Sequence, residues 1–325
     1  MQFMNVTEYL HSRIPDSMAG QRLDHVLAEL FPEFSRSRLQ QWIKEGKVLV
    51  DNNQLRSKDK VKGGESINIT VINKQEVEAL PEAIPLHIVY EDDQLLVIDK
   101  PAGLVVHPAV GNRDGTLLNA LLFHAPELST VPRAGIVHRL DKNTSGLLVI
   151  ARTLTAQTSL VAQLQARTIE REYDAIVNGV IISGGVVDAP IGRHPVDRKR
   201  MAVVASGKPA VTHYRVAERF RGHSHLKVRL ETGRTHQIRV HMAYIHYPLV
   251  GDPVYGGRLR FPAGISDILR NYLKDFHRQA LHASRLKLVH PKTTEIMQWQ
   301  SPLPGDMTEL LAVLREDTSH VKERA

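Results

Sequence analysis

Residues 133–150, RAGIVHRLDKNTSGLLVI, hold the reading of this chain. The first half is loop sequence: a single carboxylate, Asp141, stands among His138, Arg139 and Lys142, and Asn143-Thr144-Ser145-Gly146 follows with turn chemistry. The second half, Leu147-Leu148-Val149-Ile150, is a short apolar run of the kind that forms a buried strand. Loops held at the edge of a rigid sheet are where proteins present reactive groups. A loop-capping Asp fits the same residues equally, and nothing inside the stretch decides between the two.

A second run has related grammar. Arg229-Leu-Glu-Thr-Gly-Arg234-Thr-His-Gln-Ile-Arg239-Val-His241 begins as a strand, turns at Thr232-Gly233 and enters a helix for which Thr235 is the expected N-cap. Arg234, at the strand-to-helix turn, is placed to pair with a carboxylate or a phosphate, or to stand free on the surface. Outward from these runs, apolar segments predict a hairpin at 86–98 and strands at 147–151, 173–180, 212–218, 226–230 and 286–290. Helical stretches are expected at 117–122, 155–165 and 235–245, with a closing helix at 306–315 and a polar tail at 316–325. Strands without regular βαβ alternation argue for an α+β class, with a mostly antiparallel, mixed sheet in the region 86–315.

Upstream lies a smaller unit, residues 18–72, with one helix carrying Leu23, Val26, Leu27 and Leu30, and another carrying Leu39, Trp42 and Ile43. Ser35 precedes the second helix, and Gly46 is its expected C-cap. Short strands follow at 48–50 and 67–71, and the acidic, Pro-containing segment 73–85 reads as a linker. Residues 1–17 show no pattern and stay unassigned.

The chain has 325 residues, enough for about two domains. Its 42 Lys and Arg against 35 Asp and Glu leave +7, which points toward a polyanionic partner. The surplus is concentrated. Eight basic residues against three acidic ones give +5 over residues 34–62, and eight against two give +6 over residues 193–221, the latter read as a candidate loop for contacting a polyanion. Each stretch fits a phosphate-binding face or an ordinary solvated one.

There is no Cys, which removes disulfides, thiol nucleophiles and thiolate metal sites. His236, His241 and His246 recur every five residues, a spacing that turns each to a different helix face, so no metal is expected. No Walker loop or dinucleotide fingerprint is present, and no cofactor is expected. Nothing resembles a signal peptide or a membrane span, so the cytoplasm is the expected compartment. A monomer is favoured.

Together, His138-Arg-Leu-Asp-Lys-Asn-Thr-Ser-Gly146, Gly233-Arg-Thr-His-Gln-Ile-Arg-Val-His241, Arg171-Glu-Tyr-Asp174 and Leu281-His-Ala283 resemble the signature motifs of the RluA-type pseudouridine synthases, and within them the bacterial members that modify large-subunit ribosomal RNA. Gly-Gln-Arg-Leu-Asp24 and Ser35-Arg-Ser-Arg-Leu-Gln-Gln-Trp-Ile43 look like the ribosomal-protein-S-four-type RNA-binding domain. The resemblance implies a metal-free, cofactor-free isomerase acting on ribosomal RNA with one catalytic Asp, here Asp141, on a flipped-out uridine. It further implies that Tyr173 stacks on the uracil, that Arg234 partners the Asp, that Leu281 lines the pocket and that Arg139 fills the gap left by the base. Arg36, Arg38, Lys44, Arg198, Lys199 and Arg200 are the candidate RNA contacts. Two other readings are a ribosome-assembly factor that binds RNA without catalysis, and a nucleosidase, which would be expected to show a second catalytic carboxylate.

Overall fold

The computed structural model describes residues 6–322, apart from 33, 35, 74–78, 109–111, 198–199, 260 and 263. The chain forms two compact units that divide between Glu78 and Ala79. That boundary falls inside the expected linker, but the second half of the segment is tied to the larger unit. Asn119 Nδ2 donates to the Leu80 carbonyl at 2.8 Å, and the Gly115 amide donates to Glu82 at 2.9 Å.

The small unit runs β1 (Val6–Arg13), a 3₁₀ turn, α1 (Leu23–Leu30), α2 (Arg36–Lys44), β2 (Val48–Val50) and β3 (Ser66–Asn73). Its antiparallel sheet has the order β1-β3-β2. Leu23, Val26 and Leu27 of α1 and Leu39, Trp42 and Ile43 of α2 bury against Val48, Val50, Ile67 and Ile69. Gly46 takes the positive φ of 73° that a helix C-cap requires, while Ser35 lies outside the described residues. β1 corrects the unassigned start. It pairs with β3 along its whole length, from Val6 opposite Asn73 to Arg13 opposite Ser66. An edge strand is held by its backbone ladder and needs little apolar pattern, and Tyr9 within it is exposed.

The large unit contains β4 (Ile88–Glu91), β5 (Leu95–Lys100), α3 (Leu117–His124), β6 (Ser145–Ala151), α4 (Leu154–Gln165), β7 (Glu170–Asn178), β8 (Gly185–Asp188), β9 (Ile191–Arg193), β10 (Met201–Val203), β11 (Val211–Arg219), β12 (His223–Leu230), α5 (Gln237–Tyr244), α6 (Asp267–Asp275), β13 (Leu281–Val289), β14 (Ile296–Gln300) and α7 (Gly305–Lys322). Nine strands form one mixed sheet of order β4-β5-β6-β13-β7-β12-β11-β8, with β14 also on β13. Every pairing in it is antiparallel except β6 with β13, where two residues meet in parallel: His282 opposite Ser145 and Ala283 opposite Gly146. Gly146 is required at this seam. Its φ is 112°, and a Cβ there would lie 2.3 Å from the Ala283 carbonyl oxygen. Beyond the seam β13 exchanges neighbours and pairs with β14 through Arg285–Val289.

On one face of the sheet, Leu148, Ile150, Tyr173, Ala175, Val228 and Leu281 pack with Leu117 and Leu121 of α3 and Ile238 and Met242 of α5. On the other, α6 and α7 cover Ile176 and Ala280, and α4 packs in a separate cluster on Val97, Val149 and Leu286. Three expectations are corrected here. α7 runs on to Lys322 through the expected polar tail, because Asp317, 4 % exposed, accepts the Ser266 amide at 2.7 Å and pairs with Arg221. α6 went unread: Leu269 and Leu273 bury and Tyr272 packs beside them, but Ile268 of the same helix is exposed, which blurs the apolar face in the sequence. Within residues 193–221, where a loop was expected, β10 pairs back onto β9 as a short antiparallel ladder that begins at Ile191. Among the described residues no helix is long and apolar enough to cross a membrane.

Candidate active site

Asp141 sits on the loop entering β6, and that loop is held from two sides. Lys100, the last residue of β5, is fully buried, and its ammonium donates to the carbonyls of Pro101 at 2.7 Å, Leu104 at 3.0 Å and Lys142 at 3.1 Å. Burial pulls its pKa down to about 7, opposed by the nearby Asp141 carboxylate. On the far side, Gln279 donates to Thr144 Oγ1 at 3.0 Å, and the Thr144 amide closes a turn on the Asp141 carbonyl at 3.0 Å. A three-donor cation among carbonyls fixes where the loop runs, and with it the direction in which Asp141 points.

The carboxylate of Asp141 is 14 % exposed and gripped at one oxygen. Arg239 of α5 donates from Nη1 to Oδ2 at 2.9 Å, while its Nε and Nη2 fork onto Asp252 at 2.7 and 2.9 Å. Asp252 is fully buried and also accepts the amides of Val254 and Tyr255 at 2.9 and 3.0 Å. The two carboxylates hold the Arg239 guanidinium well above its ordinary pKa, and Arg239 with these amides holds Asp252 below the usual carboxylate range. The Tyr255 ring lies under the same guanidinium, 5.0 Å from centroid to Cζ. Asp141 Oδ1 accepts no hydrogen bond among the described residues, and His236 Nε2 stands 3.8 Å from it.

The expected partner, Arg234, is placed elsewhere. His236, at the N-cap of α5, adopts the left-handed conformation with φ 57° and ψ 22°, so the helix begins at Gln237 rather than at Thr235. This turn leaves Arg234 at the rim, where its Nε donates to the Pro209 carbonyl at 3.0 Å, and carries Arg239 inward to Asp141. Helix burial is the sequence signal that could have found it. α5 is buried from Gln237 through Met242, and a charged residue inside such a helix must be paired.

The other expected residues divide into those the fold gathers at the site and those it does not. Tyr173 of β7 is 5 % exposed, shares the apolar cluster of Leu140 and Leu281, and donates no hydrogen bond among the described residues; burial pushes its phenol up. Leu281 opens β13 opposite Ala175, two register positions from Ala283 opposite Tyr173. Arg139 is exposed beside Asp141 and makes no ion pair among the described residues. Arg200 packs its guanidinium over the Tyr255 ring at 5.3 Å with Nε buried, which sets it as a wall of the site and not as a free surface cation. Arg198 and Lys199 lie outside the described residues.

In the small unit, Arg36 and Arg22 converge on the fully buried Asp24 at 2.7 and 3.0 Å, joined by Gln40 at 2.7 Å; together they hold that carboxyl well below its usual range. Both arginine side chains remain 48 % exposed. Lys44 is exposed at the end of α2, and the Arg38 side chain lies outside the description. Of the three evenly spaced His, His241 is fully buried and spends both ring nitrogens on Thr212 and Ala189, apart from His236.

Residues 94–244 match the profile of the RNA pseudouridylate synthase family, and residues 21–67 match that of the S4 domain. The chain is 60% identical over 306 residues to a Pseudomonas aeruginosa protein named ribosomal large subunit pseudouridine synthase D, covering 94% of this chain and 96% of the relative. A protein of the same name from Escherichia coli O6:H1 is 54% identical over 315 residues, covering 97% of each. Among solved structures, human RNA pseudouridylate synthase domain containing 4 matches with a TM-score of 0.54 at 27% identity, over 70% of this chain and 93% of that one.

Proposed function

The chain belongs to the RNA pseudouridylate synthase family, and from that premise we infer that it isomerises specific uridines of large-subunit ribosomal RNA to pseudouridine, in the cytoplasm and as a monomer. Two relatives that match nearly the whole chain carry the name of that activity. The small unit, which matches the S4 domain, supplies an RNA-binding surface, on which Arg36 and Lys44 meet phosphates.

In this reading the target uridine leaves its stack to reach a carboxylate in a cleft. Asp141 assists cleavage of the bond between ribose C1′ and uracil N1, and the bonding pair departs with the uracil. The uracil turns on the face of Tyr173, C5 joins C1′, the C5 proton is lost and N1 gains one. Leu281 bounds the pocket, and Arg139 fills the space the base has left. Arg239 grips Asp141 Oδ2 and aims the carboxylate.

The observation that carries this reading is the asymmetry of Asp141: Oδ2 is bound by Arg239, whereas Oδ1 accepts no hydrogen bond among the described residues, and the carboxylate is near enough to Tyr173 for its charge to help push that phenol up. A hydrolase would need a second working carboxylate. The neighbouring one, Asp252, is fully buried and saturated by Arg239 and two amides, which argues against a nucleosidase.

The test is Asp141→Asn, nearly isosteric but without charge or nucleophilicity. With unmodified large-subunit RNA, pseudouridine formation is expected to fall below detection while affinity stays within about threefold, since binding rests on phosphate contacts that the change leaves intact. Appreciable product from this variant would remove Asp141 from the chemistry. A wild-type protein that binds the RNA but forms no product would support the assembly-factor reading instead.

A further inference from the structure

A carboxylate gripped at one oxygen can still swing about its Cβ–Cγ bond, and Asp141 is gripped only at Oδ2. What faces the other oxygen is His236 Nε2, 3.8 Å away. Whether that nitrogen carries a proton is settled by a chain of hydrogen bonds running back from it. The Met201 amide donates to Tyr255 Oη at 2.9 Å, and Tyr255 Oη lies 2.8 Å from His236 Nδ1. The phenol has one proton and, among the described residues, no other acceptor for it, so it donates to Nδ1. The ring proton then resides on Nε2, directed at Asp141 Oδ1.

Burial above all keeps the ring neutral. Burial lowers the His236 pKa; Arg239 and Arg139 add to the depression, while Asp141 and Asp252 oppose it. Burial also raises the phenol of Tyr255, which therefore stays protonated. The backbone tells the same story. His236 holds a left-handed φ of 57° without being Gly, a strained conformation that persists where the surroundings enforce it, and it is what aims the ring. The two rings meet edge to face at 5.6 Å.

We propose that His236 is a positioning residue for the isomerisation: its Nε2–H, oriented by the Tyr255 hydroxyl, closes on Asp141 Oδ1 when the substrate fills the cleft and fixes the plane of the carboxylate against the ribose. Catalytic hydrogen bonds are often long in the unliganded state and shorten in the complex. Arg239 and His236 then hold one oxygen each, and the remaining lone pair on Oδ1 has a single direction. The proposal rests on the reading of Asp141 as the catalytic carboxylate.

The test compares His236→Leu, His236→Gln and Tyr255→Phe with the wild type, using unmodified large-subunit RNA in single-turnover assays with affinity measured alongside. His236→Leu is expected to lower the rate about 30-fold, because misplacing a reacting group by a fraction of an ångström costs on that scale. His236→Gln, whose amide nitrogen reaches the position of Nε2, is expected to recover to within about threefold of wild type. Tyr255→Phe keeps the ring against Arg239 and Arg200 but frees the tautomer, and a loss of about fivefold is expected. RNA affinity should stay within about twofold throughout. Equal losses for Leu and Gln, or a wild-type rate in Tyr255→Phe, would overturn the proposal. Should the His236 variants melt early, the Tyr255→Phe rate decides alone. Absence of product from the wild-type protein would instead refute the underlying assignment of function.

Discussion

At the scale of single residues, the site turns on which of two arginines reaches Asp141. Both belong to one short run, and linear spacing cannot say which points inward; the left-handed turn at His236 does. The places of Asp141, Tyr173 and Leu281 on a strand or at a strand entrance were legible from their apolar neighbours, whereas their roles come only with the family resemblance. Arg239→Lys keeps a charge but cannot fork onto Asp252 and still reach Asp141, so turnover is expected to drop at least ~100-fold with a lower melting temperature. Arg234→Gln should keep turnover within about fivefold, since among the described residues its side chain bonds only the Pro209 carbonyl. Equal losses in single-turnover assays would return Arg234 to the centre. Lys100 makes a pH prediction. Its folded pKa is about 7 against an ordinary 10.5, so between those values the unfolded chain holds a proton that the folded chain has released. Stability should therefore rise with pH across that window, by at most about 1.4 kcal/mol per pH unit from this group. Urea melts at pH 7, 8 and 9 should show the rise in the wild type and lose this part of it in Lys100→Met.

At the scale of elements, apolar periodicity located the helices and strands that bury a full face and missed those held by other forces. β1 rests on backbone pairing, α6 on two leucines and a Ser266 cap, and the last turns of α7 on the buried Asp317. The join of α1 and α2 is also polar. Asp24, in the first turn of α1, is bound by Arg22, Arg36 and Gln40. Asp24→Asn adds a positive charge, and charge counting alone would have RNA bind more tightly. If the two guanidiniums must be held in place to meet phosphates, affinity should instead fall about threefold to tenfold, because the ordering cost returns to the binding step. Filter binding at fixed salt reads the sign directly, and tighter binding would refute the pre-organised pair. Trp42, in the small unit's core, reports in the same sample whether that unit is still folded.

At the scale of the whole molecule, the division into a small basic unit and a large sheet unit was readable from composition, because the acidic segment at 73–85, downstream of the charge surplus at 34–62, contains the boundary at Glu78. Removing residues 1–78 should weaken RNA binding and flatten the slope of log affinity against log salt by about 0.7–0.9 for each phosphate that the small unit neutralises. An unchanged slope would mean that the small unit neutralises none. The order of strands in the large sheet could not be read in the same way, since nothing local says that β13 lies between β6 and β7, which follow each other in sequence with only α4 between them. That placement governs how the protein is made. The loop bearing Asp141 and the strand bearing Tyr173 emerge from the ribosome more than a hundred residues before the strand that must slide between them, and they cannot acquire their final spacing while it is missing. A nascent chain stalled before Leu281 has every polar group of the site and no central strand to hold them together. A chain lacking β13 is therefore expected to be inert, because its loss removes the seam of the site and not merely part of the scaffold.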